Sequence, residues 1–354
     1  MCNPAAQPVG TVAGWGGYLD IRELHSPTPL TNGVKLAQRN CLVLTETGEV
    51  LSPGSPSRSE LTNIVAVASG DERGVALTRN GVMLSWAYDQ QGPAQILASN
   101  IIAIAAGGNH SLALTEDHRV LSWGGGNVPA NLTNVEAIAA GQLHSLAVKR
   151  DGTVVAWGDN KFDQCSVPLG LTGVVMVAGG HTHSLALKSD GTVVGWGAGS
   201  GNDSGQTRTP PDATNVVAIA AGGFHSLALR ASGTIAGWGW NGFGQLEIPP
   251  SDSSFIGIAA GEITSFALTR LPVVTAQPLG QSVRAGTNVT IVVEAVGTYP
   301  WEYQWFHNGT NLAGATSPSL HVHLADVQVE DSGHYSAILR NSYGSRITSS
   351  ASLD

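Results

Sequence analysis

The chain has 354 residues, of which 42% are apolar and 12% charged, a balance that excludes a disordered polymer and allows a repeat array plus a smaller module. Seventeen Lys and Arg against 26 Asp and Glu give a formal charge of −9 with no basic run. That excludes the phosphate-neutralising surface of a nucleic-acid binder and any pull toward an anionic membrane.

The first ten residues, MCNPAAQPVG, have neither the basic nor the apolar region of a signal peptide. No stretch approaches the 18 apolar residues of a membrane-spanning helix. Cys2, Cys41 and Cys165 are too few and too scattered for a disulfide framework or a metal site. The 45 glycines fall among short apolar runs, which predicts many tight turns between strands and an all-β fold.

From residue 37 a unit repeats. Four copies are close: GGNHSLAL ending at Leu114, GQLHSLAV at Val148, GHTHSLAL at Leu187 and GGFHSLAL at Leu229. GEITSFAL at Leu268, GDERGVAL at Leu77 and AQRNCLVL at Leu44 bring the total to seven. Each Gly stands 16 residues before a Trp: Gly70 and Trp86, Gly107 and Trp123, Gly141 and Trp157, Gly180 and Trp196, Gly222 and Trp238. Ala37 and Pro53 hold that frame in the first copy. All length variation lies between one Trp and the next Gly, and the period averages about 37 residues.

Within one unit, VVAIAAG reads as a crowded, buried strand. HSLAL alternates and feeds Asn80-Gly81, Asp151-Gly152 or Asp190-Gly191, pairs that predict type I′ hairpins. TVVAWG is the return strand, and a short fourth strand is expected to end at Val-Pro or Ile-Pro-Pro, as at Pro168 and Pro249. Four antiparallel strands per unit make a propeller blade.

The last copy ends at Leu268 without a TVVAWG strand, whereas GTVAGWG, with Trp15 in place, stands alone near the N-terminus. The expectation is a seven-bladed β-propeller over residues 1–270, closed by the N-terminal strand so that no edge stays open.

IAAGxxHSLAL, DGTVVAWGDN and the Gly-Gln turn NGFGQ (Asn241 to Gln245) together resemble the regulator of chromosome condensation repeat. The short unit is most similar to bacterial members such as the propeller-type β-lactamase inhibitory protein. The inserted loops, basic tail and wedge that the eukaryotic exchange factors of this superfamily use have no counterpart here.

Residues 271–354 resemble an immunoglobulin-like domain of the intermediate set, from PVVTAQP, VTIVVEAVG, YQWFHNG and DSGHYSAILRNSYG. The resemblance implies a β-sandwich with Trp305 as core tryptophan and Tyr335 as tyrosine corner. Val293 and Ala337 stand where the inter-sheet disulfide usually lies.

His110, His144, His183 and His225 recur at one position, but Asn40, Arg73 and Thr264 replace them elsewhere. Members of a ring lie too far apart to share an ion at about 2 Å. A structural role is expected, each ring N–H satisfying a backbone carbonyl. His181 beside His183 is a chance pair. The His and Ser of one pair point to opposite faces of a strand, so they cannot meet as base and nucleophile. Gly237 to Gly242 matches GxGxxG but inside a unit with no following helix, and GGGN at Gly124 lacks the Lys-Ser/Thr of a phosphate loop.

The Trp of the frame are expected to pack between neighbouring units. Trp240 lies outside that series, in the variable turn, with Phe243 after it, and Tyr18, Tyr88 and Phe162 occupy corresponding turns. These five residues form a candidate partner-binding rim. The expectation is therefore a monomeric, non-enzymatic protein-binding or adhesion scaffold without cofactor or metal, placed by resemblance in a bacterial, extracellular or cell-surface setting. An inhibitor of a secreted hydrolase such as a β-lactamase is the second reading, and a guanine-nucleotide exchange-type regulator the third.

Overall fold

The structure, a computed structural model, describes residues 11–15, 33–36, 42–45, 48–51, 61–88, 93–248, 255–269, 271–296, 301–316, 321–341 and 343–354. The chain divides into two compact units, one built on Gly33–Leu268 and the other on Thr269–Asp354.

The first unit is a series of small antiparallel sheets, one per sequence repeat. In the sheet around His144, Val135–Ala140 pairs with His144–Lys149, which pairs with Val154–Gly158. The sheets around His183 and His225 repeat this order with the same register: Ser145 faces Trp157, Ser184 faces Trp196 and Ser226 faces Trp238. In the sheet of Phe255–Ala260 and Ser265–Thr269, the third strand is Thr11–Trp15 from the other end of the sequence.

Two expectations are corrected. Among the described residues a fourth strand forms in one sheet, where Gln95–Ala98 pairs with Met83–Ala87. At Pro168 the expected outer strand is a turn, with Val167 N–H donating to the Cys165 carbonyl, while Pro249 lies outside the described residues. The hairpins are also not type I′. In 149–153 the Gly152 N–H donates to the Lys149 carbonyl at 2.8 Å and only Gly152, at φ 76°, is left-handed. This is the three-residue hairpin with a glycine bulge. Asp151 makes the difference. Its carboxylate accepts from the Thr153 N–H and hydroxyl, at 3.0 and 2.6 Å, and from Lys149 at 3.1 Å. Those bonds hold its pKa down at about 2.

Leu-x-Leu of one sheet meets the frame Trp of the next. Trp157 is buried with Leu112 and Leu114, Trp196 with Leu146, and Trp238 with Leu185 and Leu187. Burying such a side chain contributes about 1.5–3 kcal/mol at each of these interfaces.

The second unit is a sandwich. Val289–Val292 pairs with His321–Leu324, and Trp301–His307 pairs with Gly333–Asn341. Trp305 and Tyr335 fill the core, and Val293 and Ala337 are fully buried against them, so apolar packing occupies the usual disulfide positions. The Tyr335 hydroxyl donates to the Asp331 carbonyl at 2.8 Å, the tyrosine-corner bond that the resemblance implied. Tyr335→Phe removes that bond at a cost of about 1 kcal/mol. Hydrogen exchange read by mass spectrometry should then run about fivefold faster across 333–341, and unchanged exchange would show that the corner contributes nothing.

Candidate functional site

The recurrent histidines sit between sheets. His110 Nε2 lies 2.9 Å from Ser145 Oγ, and His144, His183 and His225 stand 3.0 Å from Ser184, Ser226 and Ser265. Each histidine thus meets the serine of the following repeat, not the backbone carbonyl expected from the sequence.

The serine proton settles the tautomer. Ser184, Ser226 and Ser265 each donate at 2.8 Å to the backbone carbonyls of Gln164, Gln206 and Gln245. A hydroxyl has one proton, so the Nε2–H of His144, His183 and His225 must be the donor toward Ser. Their Nδ1 atoms are buried without a hydrogen bond. The Gln164 and Gln206 carbonyls also accept the indole N–H of Trp196 and Trp238, at 3.0 and 2.8 Å. Each buried Gln folds its side chain back on its own turn, accepting from Phe162 N–H, Ser204 N–H and Phe243 N–H.

The repeated glycine has a steric cause. A Cβ on Gly141, Gly180 or Gly222 would stand 2.1–2.2 Å from Cε1 of the histidine three residues later. The ring needs the space that the missing side chain leaves.

Burial drives His144 and His225 down to about 4 and His183 to about 3, and lowers His110. Ser184, Ser226 and Ser265 spend their proton on carbonyls. Among the described residues no three His, Cys, Asp or Glu side chains gather as metal ligands. Gly237 and Gly239 of the GxGxxG match lie on the strand Ile235–Gly239, and the match ends in a turn.

The end of the sheets at which the middle strand begins carries the variable side chains. There the turn after the frame Trp meets the Gly-x-x-His turn: Tyr88 N–H donates to the Glu72 carbonyl, Asp159 to Leu143, Ala198 to Thr182 and Trp240 to Phe224. Four of the five rim candidates lie at this end, while Tyr18 lies outside the described residues. The structure brings Trp240 and Phe243 into edge-to-face contact at 5.2 Å. Phe162 and Tyr88 pack separately. Phe162 lies under Lys161 Nζ, 5.3 Å from its ring centre, and Tyr88 stands on Trp86 with its hydroxyl 2.9 Å from Ser69 Oγ.

Two members were missed. Phe224 meets Trp240 at 6.4 Å, and His181 meets Phe224 at 5.3 Å, so four rings from two repeats form one contiguous edge-to-face cluster. His181 Nε2 stands 3.7 Å from Glu262 Oε1, which belongs to the repeat after the next. The available signal was the position: 181 and 224 fall in the two variable places of Gly-x-x-His, at the end of the sheet where the turn after Trp arrives.

Residues 101–128, 135–164, 174–206 and 216–245 match the regulator of chromosome condensation (RCC1) repeat, and residues 272–341 match an immunoglobulin domain. The chain carries RCC1 repeats and an immunoglobulin-like domain. The fold of the RCC1 repeats is similar to that of Prp20p from Saccharomyces cerevisiae, a structure described with its binding to Gsp1p and histones. The identity is 20%, the TM-score 0.60, and the match covers 75% of this chain and 92% of that one. Yeast RCC1 (Prp20) bound by Kap60 matches at 19% identity and TM-score 0.57, over 74% of this chain and 89% of that one. The ectodomain of the Physcomitrella patens receptor kinase CR4 matches at 18% and 0.52, over 71% and 78%. No curated protein matches the chain in sequence.

The RCC1 histidines make a pH prediction. Below pH 6.5 the unfolded chain protonates its histidines, while His144, His183 and His225 stay neutral in the fold down to about pH 4. Stability is therefore complete above pH 6.5 and lost as pH falls toward 4, by about 1.4 kcal/mol per pH unit for each histidine. The urea midpoint of the whole chain should drop steeply between pH 6.5 and pH 4.5, above the range where Asp151 titrates. A flat midpoint over that window would contradict the buried neutral state.

Proposed function

We propose that the RCC1 repeats close into a seven-bladed propeller that binds a protein partner, without catalysis, through the end carrying Trp240 and Phe243. The immunoglobulin-like domain would serve for spacing or a second contact. The contiguous ring cluster carries this reading. Phe243 is 36% exposed in a turn whose backbone is already fixed by Gln245, so its ring is presented at little ordering cost. Closure is supported by the pairing of Thr11–Trp15 in the sheet of Ser265–Thr269, which covers an edge that would otherwise stay open. A non-enzymatic role is supported by buried histidines whose Nε2–H is committed to a serine of the neighbouring sheet. A bacterial, extracellular setting follows from the resemblance to the propeller-type inhibitory proteins, as does inhibition of a secreted hydrolase, which would use the same end.

Two experiments test this. Removing residues 1–15 should expose the Ser265–Thr269 edge and turn a monomeric chain into a concentration-dependent aggregate, read by light scattering. A truncated chain as monomeric and stable as the intact one would refute closure. In parallel, the immobilised chain should capture partners that a Trp240→Ala/Phe243→Ala variant loses and a Leu169→Ala variant, altered at a fully exposed turn, retains. Identical capture by all three would reject this end as the binding surface.

A further inference from the structure

The two ends of the sheets differ in how they balance charge. At the hairpin end four bases meet an acid: Lys149 with Asp151 at 3.1 Å, Lys188 with Asp190 at 2.9 Å, Arg230 with Asp212 at 2.6 Å and Arg150 with Glu136 at 2.6 Å. At the aromatic end the balance fails. The four turns that build the ring cluster, 180–183, 222–225, 239–247 and 261–264, contain Glu247 and Glu262 and no Lys or Arg. Glu262 is 60% exposed beside His181, and Glu247 is exposed in the turn that carries Phe243.

The rings add the complementary feature. His181, Phe224, Trp240 and Phe243 meet at interplanar angles of 80°, 84° and 86°. In an edge-to-face chain the successive faces turn in different directions, and each face is electron-rich. A cation approaching this cluster meets aromatic rings with Glu262 beside His181 and Glu247 in the turn of Phe243, while Arg208, in the turn that packs against Gly239, is already paired with Asp203 at 2.6 Å. The same end already shows the interaction within the chain, where Lys161 Nζ lies over the Phe162 ring.

We infer that the His181–Phe224–Trp240–Phe243 cluster, with Glu247 and Glu262, docks a basic segment of a partner protein by holding an Arg or Lys side chain against the rings. This rests on the reading that this end binds a protein, and adds the chemistry of what it takes. Arg suits the site better than Lys, because its planar guanidinium stacks on an aromatic face while donating to a carboxylate.

The test uses the full chain and labelled octapeptides of alternating Gly with Arg, Lys or Glu, followed by fluorescence anisotropy. The Arg peptide should bind saturably, more tightly than the Lys peptide, and weaken at about 0.5 M salt, where the screening length falls to a few ångströms. Glu247→Gln/Glu262→Gln, which preserves shape, should weaken it about fivefold. Trp240→Ala should weaken it about tenfold. Asp212→Asn, at the hairpin end, should leave it unchanged. Binding of the Glu peptide, no binding of the Arg peptide, or equal loss in Asp212→Asn would overturn the inference, the last by showing only the general acidity of the chain. A captured partner that depends on Trp240 and Phe243 but ignores the glutamine variant and salt would overturn it too, while leaving the protein-binding reading intact. A capture indifferent to Trp240 and Phe243 would remove that reading instead.

Discussion

The buried serine hydroxyl between neighbouring sheets is the interaction on which the repeat array depends. Ser184, Ser226 and Ser265 receive a histidine Nε2–H from the preceding repeat and donate to a glutamine carbonyl. The Leu and Val contacts through the packed faces can slide, and the other directional ties there, the indole N–H bonds of Trp196 and Trp238, end on the same glutamine carbonyls. A hydroxyl with one proton and two partners cannot slide without leaving a buried polar group unmatched, at about 1–3 kcal/mol. The same bond explains why the histidines are neutral, why glycine stands three residues before them and why the serine must follow at once. One requirement thus accounts for most of the invariant letters of the unit.

Much of this order could be read from the sequence, because the frame is local. Gly, Trp and the alternating HSLAL strand lie within 16 residues, so spacing alone gives strands, hairpins and the number of units. The partner of each histidine was not legible for the opposite reason. It lies 35 to 43 residues away, across a turn of variable length, and only the fold supplies the register. The right argument, that His and Ser of one pair face apart, stopped one step short: facing apart is what lets each reach a different neighbour. Gln164, Gln206 and Gln245 were readable but unread. Each stands 20 residues before its serine, so the length variation sits between Trp and Gln. The hairpins failed for a finer reason, since Asp-Gly serves two turn types and the side-chain bonds of Asp151 choose between them.

Where the glutamine is missing, the consequence can be seen. The segment after Trp123 is short, GGGN, and no glutamine follows at that spacing. The next tryptophan, Trp157, buries its indole N–H without a hydrogen bond, while Trp196 and Trp238 donate to Gln164 and Gln206. Trp157 is nonetheless as buried as the others, at 7% exposure. Packing positions the ring, and the carbonyl only completes its polar requirement. The array therefore tolerates loss of one polar tie as long as the indole still covers Leu112 and Leu114.

That tolerance points to where function can vary. At the Gly-x-x-His end a backbone belt joins the sheets: Asp71 N–H donates to the Gly108 carbonyl, Gly108 to Gln142, Gln142 to Gly180 and Gly223 to Glu262, and side chains such as Gln142, whose Nε2 donates to Asp71 Oδ2 at 2.9 Å, add to it. A belt of main-chain bonds places no demand on side chains, except where carbonyls approach too closely. A Cβ on Gly108 or Gly223 would meet the Gln142 or Glu262 carbonyl oxygen at 2.7 or 2.5 Å. The remaining belt positions are free to differ from repeat to repeat, and they do: Asp71, Gln142, His181 and Glu262. The hairpin end has no such freedom, because Asp151 and Asp190 each hold a Thr and a Lys to close the turn. A repeat fold that fixes one end by side chains and the other largely by backbone leaves the second end room to vary. The aromatic rings of 181, 224, 240 and 243 lie on the side where sequence could change without loosening the sheets.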